Sequence, residues 1–160
     1  MLTRISRGFT LIELIAFIVV VGVSIVAMAS VFQYSVVRMQ DPLINSQLIA
    51  MAQAQLDETL SRKYDENTPT GGVPTCGVSI VCAGIGLDTG EVITDINSLD
   101  DVDDFHGYAD VPLLGYSRSM SVVNAGVDFG LSAENAKLVS VTVSSPQGQS
   151  MTLSVYRFNF

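Results

Sequence analysis

The sequence has few of the residues on which polar chemistry most often depends. It contains one histidine, His106, two cysteines, and 8 lysine or arginine residues among 160. A lone histidine beside aspartates is more often a loop residue than a catalytic base. The sequence has no serine elbow and no histidine pair at metal-ligand spacing, and the glycines of Gly84-Ile-Gly86-Leu-Asp-Thr-Gly90 have the wrong spacing for a dinucleotide site. We therefore expect no enzymatic activity.

Positive charge is scarce in the larger part of the chain. The formal net charge is −8, and fifteen of the sixteen carboxylates lie in residues 39–160, against five lysine and arginine residues. An acidic surface of this kind disfavours nucleic-acid phosphates and anionic lipids as partners. The sequence therefore predicts no nucleic-acid partner, and its length predicts one compact domain with an accessory segment.

Charge is missing altogether from one long segment, Leu14 to Val37. A helix of this length and composition is sufficient to cross a hydrocarbon layer of about 30 Å. Arg4 and Arg7 precede the segment, and the acidic part of the chain follows it. Because basic flanks stay in the cytoplasm, we expect a single membrane pass with a cytoplasmic N-terminus and an exported acidic domain.

A secretory signal is the alternative interpretation of this segment. Leu11 to Val26 has the composition of a signal, and cleavage after Ala29 would release a soluble binding protein that begins at Ser30. Two observations favour a retained helix instead. Glu13 lies inside the apolar run, where an acid at mid-membrane costs about 2.5–3.5 kcal/mol, and strong helix formers continue through residues 46–58.

The retained helix is predicted to have a membrane half and an amphipathic half that ends at about residue 64. Asp41-Pro42 is expected to cause a kink or a short interruption between the halves, because proline lacks an amide donor. The amphipathic half carries one apolar stripe at helical spacing, which predicts packing against a sheet. That stripe consists of Ile49, Ala52, Leu56 and Leu60.

The last third of the chain alternates between apolar and polar residues with the period of a β-strand. Strands are predicted at Tyr116 to Val123, Leu138 to Ser144 and Met151 to Phe158, and Ser145-Pro-Gln-Gly148 suits a type I turn between the last two. The predicted fold is therefore α+β, with a long N-terminal helix on a small antiparallel sheet. The closing aromatic residues complete a strand and the core, or form a partner surface; they are Tyr156, Phe158 and Phe160.

Two segments are rich in turn-forming residues and are predicted to be loops. In the first, 67–90, Cys76 and Cys82 form either a small disulfide loop in an oxidising compartment or two unpaired thiols. The second, 95–110, contains a group of acids that either ligate calcium or remain solvated, although their order does not match an EF-hand. These acids are Asp100, Asp101, Asp103 and Asp104. No other cofactor is expected.

The start of the apolar run carries a specific motif, Arg7-Gly8-Phe9-Thr10-Leu11-Ile12-Glu13-Leu14-Ile15. It resembles the leader junction of type IV pilins and of type II secretion pseudopilins. The resemblance implies a leader at residues 1–8, a transmembrane and assembly helix at 9–38, and a head domain at 39–160. It also implies that a prepilin peptidase cleaves between Gly8 and Phe9 and methylates the new amine of Phe9.

Glu13 would be the fifth residue of that mature chain, and the resemblance gives it a role in assembly. A carboxylate in lipid is compensated by a terminal ammonium, its own or a neighbour's, worth up to about 4 kcal/mol at 4 Å with an effective dielectric constant of 20. The alternative is an acid that reaches the headgroups without a partner.

Later segments resemble one subgroup more closely, the minor pilins of the D type from mannose-sensitive haemagglutinin (MSHA) pili. The resemblance implies a non-enzymatic minor pilin that contributes to pilus assembly, initiation or adhesion, and Ser30, at a position where many major pilins have proline, agrees with a minor subunit. The matching segments are Gln53-Ala-Gln-Leu-Asp-Glu58, Tyr64-Asp-Glu-Asn67, Gly71-Gly72 and Asp103-Asp-Phe-His-Gly-Tyr108.

The family resemblance also implies partners and a location. The partners are the prepilin peptidase, other major and minor pilins, the inner-membrane assembly platform and, before assembly, membrane lipid. The chain would be stored in the bacterial inner membrane and then move into a pilus. The alternative is a minor pseudopilin of a type II secretion system, which would move into a periplasmic pseudopilus.

Overall fold

A computed structural model describes residues 10–69 and 71–159, with side chains outside residues 33–41. Two compact units make up the chain, Met1–Leu43 and Ile44–Phe160, and each is described by itself. We call the second unit the head. The predicted cleavage site, Gly8 and Phe9, lies outside the described residues, as does Phe160.

One helix, α1, extends over Leu11–Leu60. It begins where the carbonyl oxygen of Thr10 accepts hydrogen bonds from the amides of Glu13 and Leu14, at 3.1 and 3.2 Å. The helix includes Pro42, so the interruption predicted at Asp41-Pro42 is wrong, while the alternative, a kink, stays a prediction. Proline removes only one amide donor, and the helical backbone continues on both sides of it.

Helix α1 ends earlier than the predicted position near residue 64. Its last residue is Leu60, and the chain then turns so that the backbone of Lys63 pairs with the segment around Asp101. The amide of Val102 donates to the carbonyl oxygen of Lys63 at 3.1 Å. This backbone pairing requires extended geometry at Lys63, which a further helical turn would not allow.

The head contains a four-stranded antiparallel sheet in the order β1-β2-β3-β4. Its three long strands agree with the predicted ones to within two residues at each end, and the α+β class is therefore correct. The two-residue strand β1 was not predicted, because it lies in a segment interpreted as loop. The strands are β1 (Ala109–Asp110), β2 (Ser117–Asn124), β3 (Ala136–Ser144) and β4 (Ser150–Phe158).

The turn between β3 and β4 is the predicted one. The amide of Gly148 donates to the carbonyl oxygen of Ser145 at 3.0 Å, which closes a four-residue β-turn. Gly148 has φ +85°, in the left-handed region that favours glycine. The turn sets the register Ser144↔Ser150 and therefore the face on which every later side chain of β4 lies.

The core of the head lies between the second half of α1 and the sheet. Leu48 and Ala52 on the helix are fully buried, together with Val122 and Val139 on the strands. The predicted stripe was partly wrong: Ala52 and Leu56 are buried, but Ile49 and Leu60 are only half-buried. The buried face also includes Leu48 and Thr59.

The C-terminal aromatic side chains of β4 pack on Phe129, the last residue of a short 3-10 helix, Gly126–Phe129. The rings of Tyr156 and Phe158 lie 4.8 and 4.9 Å from that of Phe129, both edge to face. Edge-to-face contacts of this kind add to the burial of the rings. The hydroxyl of Tyr156 donates to Asp128 at 3.0 Å.

Candidate functional site

The first candidate site is the apolar surface of α1. The segment Leu11–Phe32 is 22 residues long, and none of it is buried in the structure. At about 1.5 Å per residue it is long enough to cross a bilayer core of about 30 Å. The hydroxyls of Ser24 and Ser30 donate to carbonyl oxygens of their own helix, at 2.7 and 2.8 Å. The polar groups of these serines are therefore satisfied within the helix, as a membrane requires.

Glu13 is the acidic residue of this segment, and it is exposed in the first turn of α1. A carboxylate in this position interacts favourably with the unpaired amides and the positive end of the helix dipole. Its predicted partner, the amine of Phe9, lies outside the described residues. The predicted pairing of the two groups therefore stays a prediction.

The second feature is a disulfide between Cys76 and Cys82, which closes a loop with a sequence separation of 6. The amide nitrogen of the Asn159 side chain donates to the carbonyl oxygen of Cys76 at 2.9 Å, which ties this loop to the end of β4. Two apolar side chains of the loop, Val78 and Val81, are exposed. Of the two predicted alternatives, a disulfide and two unpaired thiols, the structure therefore contains the disulfide.

The third feature is the acidic segment at 100–104, which we call the aspartate turn. The side chains of Asp101, Asp103 and Asp104 are fully buried, so a solvated loop is wrong for these three residues. Asp101 Oδ1 accepts from the amides of Asp103 and Asp104 at 2.9 and 3.2 Å. Asp104 Oδ2 accepts from the amides of Asp100 and Asp101 at 2.9 and 3.0 Å. Short acidic side chains that bond nearby amides in this way stabilise turns.

A lysine of β3 compensates part of the negative charge behind this turn. Lys137 Nζ lies 2.5 Å from Asp103 Oδ1 and 3.5 Å from Asp65 Oδ2. It also donates to the carbonyl oxygen of Tyr64 at 2.6 Å and lies 4.4 Å from the centre of the Tyr64 ring. Three hydrogen-bonding or charged partners and an aromatic face therefore surround one buried ammonium group.

Asp65 is buried together with the three aspartates of the turn, and of these four carboxylates Asp65 and Asp103 pair with Lys137. Burial raises the pKa of Asp101 to about 9, and the neighbouring Asp103 carboxylate adds to the effect. Burial also raises the pKa of Asp103, although Asp101 and Lys137 oppose the shift. At neutral pH Asp101 therefore keeps its proton, which it shares with Asp103.

Two groups of three carboxylates lie beside the aspartate turn, and in each group oxygens from all three residues are within 4.8 Å of one another. The first consists of Glu66, Asp100 and Asp101, and the second of Asp88, Glu91 and Asp104. Lys63 Nζ lies 2.9 Å from Glu66 and 3.0 Å from Asp100, so an ammonium group occupies the first. Although burial opposes the shift, these carboxylates raise the pKa of Lys63.

The predicted calcium ligands do not converge on one point. The side chain of Asp100 pairs with Lys63, whereas that of Asp103 pairs with Lys137 in the interior. Asp101 and Asp104 belong to different carboxylate groups. Binding of one calcium ion by all four aspartates therefore stays a prediction, and in this structure two of the four, Asp100 and Asp103, pair with lysines.

Sequence reasoning missed Lys137, Asp65, Asp88 and Glu91 as members of these charged groups. A signal for Lys137 was present, because it lies two residues before Val139 and so shares its inward-facing side of β3. A lysine at an inward position needs a buried partner of opposite charge. The loop acids lack such a periodic signal.

His106 Nδ1 lies 2.8 Å from the carbonyl oxygen of Val122, and the Val122 amide is 3.2 Å away. The ring thus contacts the backbone of β2 at the end of the aspartate turn.

Comparison with families of known proteins finds no matching family model, and neither curated proteins nor solved structures give a match.

Proposed function

We propose that this chain is a minor subunit of a type IV pilus of the MSHA-like kind, stored in the inner membrane and used for pilus assembly, initiation or adhesion. The observation that carries the proposal is the leader-junction motif Arg7 to Ile15 at the start of a long helix. A basic leader that ends at a glycine followed by an aromatic residue resembles a prepilin peptidase site, and a glutamate at this register resembles the assembly residue of pilins.

The exposed surface of α1 supports a function in which the helix changes partner. Thirteen large apolar side chains between Leu11 and Met28 are at least one-third exposed, in addition to Val31 and Phe32. A contiguous apolar surface of this size marks a membrane or protein interface. Lipid covers it while the chain is stored, and helices of neighbouring pilins cover it in the filament.

Glu13 would then guide the register of assembly. Once the leader is removed, a terminal ammonium at Phe9 and the carboxylate of Glu13 are the charged groups at the start of the helix, which lipid or other pilin helices would cover. Their attraction is worth up to about 4 kcal/mol at 4 Å with an effective dielectric constant of 20. A subunit that aligns Glu13 with an ammonium is therefore favoured over one shifted by a turn.

The head is proposed to be a structural, non-catalytic surface of the pilus. Its disulfide suits an exported domain, because disulfides persist in oxidising compartments. Its acidic character suits neither nucleic acid nor anionic lipid. The proposed partners are the prepilin peptidase, other pilins and the inner-membrane assembly platform.

The test is the intact mass and N-terminal sequence of the protein from membranes of cells with and without the prepilin peptidase. We expect a peptidase-dependent chain that begins at methylated Phe9. A chain that begins at Ser30, or one that is uncut in both strains, would contradict the proposal.

A matched pair of glycine variants sharpens this test. Gly8→Val should block cleavage, because it places a branched side chain at the proposed scissile bond. Gly22→Val should be cut normally, since a Cβ at Gly22 meets no atom within 4 Å. Recovery of the mature protein in sheared pili supports the pilus, whereas its retention with secretion-system components in the periplasm favours the pseudopilin.

A further inference from the structure

The carboxylate group Asp88, Glu91 and Asp104 has the features of a cation site. Asp88 and Glu91 lie on one turn, in which Glu91 Oε2 accepts from the amide of Asp88 at 2.7 Å. Asp104 comes from the aspartate turn and is fully buried. One oxygen from each of the three carboxylates lies within 4.8 Å of the other two. Two segments of the head therefore bring three acids to one point.

Asp104 distinguishes this group from an ordinary cluster of exposed acids, because one of its carboxylate oxygens is buried and unsatisfied. Its Oδ2 is satisfied by two backbone amides, but Oδ1 is buried and has no hydrogen-bond partner. A buried carboxylate oxygen without a donor costs free energy, and a bound cation removes that cost. The unsatisfied oxygen belongs to the residue that joins the Asp88–Glu91 turn in this group.

In the neighbouring carboxylate group, Glu66, Asp100 and Asp101, a lysine of the chain provides the positive charge. There Lys63 lies about 3 Å from both Glu66 and Asp100. Among the side chains that the structure describes, those of residues 10–32, 42–69 and 71–159, neither lysine nor arginine forms an ion pair with Asp88, Glu91 or Asp104. The second group therefore contains three carboxyl groups, as the first does, but no ammonium group.

We propose that Asp88, Glu91 and Asp104 bind a calcium ion. Calcium takes six to eight oxygen ligands at 2.3–2.6 Å and prefers carboxylates. Two oxygens that share an ion at about 2.4 Å are at most about 4.8 Å apart, which agrees with the separations in this group. Asp88 and Glu91 are only half-buried, so water reaches the site and completes the coordination.

The ion would connect the loop of Asp88 and Glu91 to Asp104, which is buried in the core. Ile85, Ile93 and Ile96 of that loop pack against the core only in part. Beyond Asp104, the chain continues directly into Phe105, which is fully buried. Calcium would therefore stabilise the loop and slow its proteolysis. This inference uses the head alone and is independent of the proposed pilin function.

The experiment is calorimetric titration of calcium chloride into the full chain, purified in detergent and stripped with EDTA. We expect one site with a dissociation constant of about 10⁻⁴–10⁻³ M, the range of extracellular calcium modules. Calcium should also raise the melting temperature and protect the loop at 84–98 from protease. Magnesium, which is smaller and dehydrates reluctantly, should bind more weakly.

Two variants of equal charge locate the ion. Glu91→Gln should raise the dissociation constant by about tenfold or more, since it removes a charged ligand. Glu66→Gln should leave it unchanged, because Lys63 already occupies that group. Asp88→Asn provides a second ligand variant on an exposed turn, which avoids the folding risk of changing buried Asp104.

Three results would overturn the proposal. The first is an absence of calcium-dependent heat and of any change in melting temperature up to about 10 mM, well above the expected range. The second is equal binding by the parent chain and Glu91→Gln. The third is loss of binding in Glu66→Gln alone, which would place the ion in the Lys63 group.

Discussion

Lys137 and Asp103 form an ion pair of 2.5 Å in the interior of the head, and both side chains are fully buried. The pair joins β3 to the aspartate turn, while the contact of Lys137 with the carbonyl oxygen of Tyr64 adds the segment after α1. A buried pair gains little over a well-packed apolar pair, but loss of one partner leaves an uncompensated charge. Three segments of the head therefore depend on one ammonium group.

Lys137→Met should lower the free energy of unfolding by about 3–5 kcal/mol, because it leaves the carboxylates of Asp103 and Asp65 without their cation. Urea denaturation of the full chain in detergent measures the change. Lys63→Met is the control, since its partly exposed ion pairs are worth about 0–1 kcal/mol. The double variant Lys137→Met with Asp103→Asn should regain part of the loss; equal instability of the single and double variants would contradict the pairing.

The elevated pKa of Asp101 predicts a dependence of stability on pH. The folded-state pKa of about 9 exceeds the ordinary value of 3.8, so the folded state binds this proton more tightly. Its contribution to stability is complete below the unfolded pKa and is lost as the pH rises toward 9. The melting temperature in EDTA should therefore fall between pH 6 and pH 9. The charged groups around it are Asp103 and Asp104 on the same turn, Glu66 and Asp100 with their partner Lys63, and the nearby Lys137.

Asp101→Asn should flatten this alkaline decline, because an amide keeps the acceptor for the neighbouring amides and cannot ionise. The acceptor matters, since Asp101 Oδ1 receives hydrogen bonds from Asp103 and Asp104. Asp57→Asn, on the exposed side of α1, should retain the slope of the parent chain. Identical slopes for the parent chain and Asp101→Asn would show that this carboxyl does not carry the proton.

Removal of the disulfide should destabilise the head. Replacement of Cys76 and Cys82 by serine releases a loop with a sequence separation of 6, for which the loop-entropy estimate is about 2 kcal/mol. Denaturation with and without reductant measures the loss. Reductant should shift the unfolding midpoint of the parent chain and leave that of the double-serine variant unchanged; a shift in both would point to an effect unrelated to the disulfide.

Residues that followed a simple period were predictable, and those that depended on distant partners were not. The apolar alternation located β2, β3 and β4, because a half-buried strand repeats every two residues. It could not locate β1, whose two residues, Ala109 and Asp110, are too few to show a period. Their pairing with Ser119 and Arg118 is a tertiary contact.

The aspartate turn shows the same limit in the candidate site. A run of acids usually indicates a solvated surface, but Asp101 and Asp104 accept backbone hydrogen bonds that are visible only once the chain has turned. The burial of Asp103 also depends on Lys137, more than thirty residues away. The composition of this segment predicted acids exposed to solvent, whereas three of them, Asp101, Asp103 and Asp104, are buried.

The helix face makes a further prediction about packing. Leu48 is fully buried, although the predicted stripe contained Ile49, which is only half-buried. Leu48→Ala should therefore cost about 2–5 kcal/mol of stability, and Ile49→Ala should cost less. Leu114→Ala is the control, because that side chain is 92 % exposed. Urea denaturation compares the three variants, and an equal or larger loss for Ile49→Ala would favour the predicted stripe.

Glu13→Gln should separate processing from assembly, because it leaves Gly8 and Phe9 at the proposed cleavage site unchanged and removes the charge that would pair with the amine of Phe9. We expect cleavage and methylation at Phe9 as in the parent chain. The amount of the subunit in sheared pili should fall by about tenfold or more, since each 1.4 kcal/mol of lost attraction is a factor of ten. Quantitative immunoblotting of membranes and pili measures both quantities.

Glu58→Gln is the matched control for that experiment, because Glu58 is exposed and pairs with Arg62 on the surface of the same helix. It should enter pili at the parent level. If Glu13→Gln also enters at the parent level, the carboxylate of Glu13 has no partner in the filament and only reaches the headgroups of the membrane. A defect confined to Glu13→Gln would instead place the pairing of carboxylate and ammonium in the assembly step.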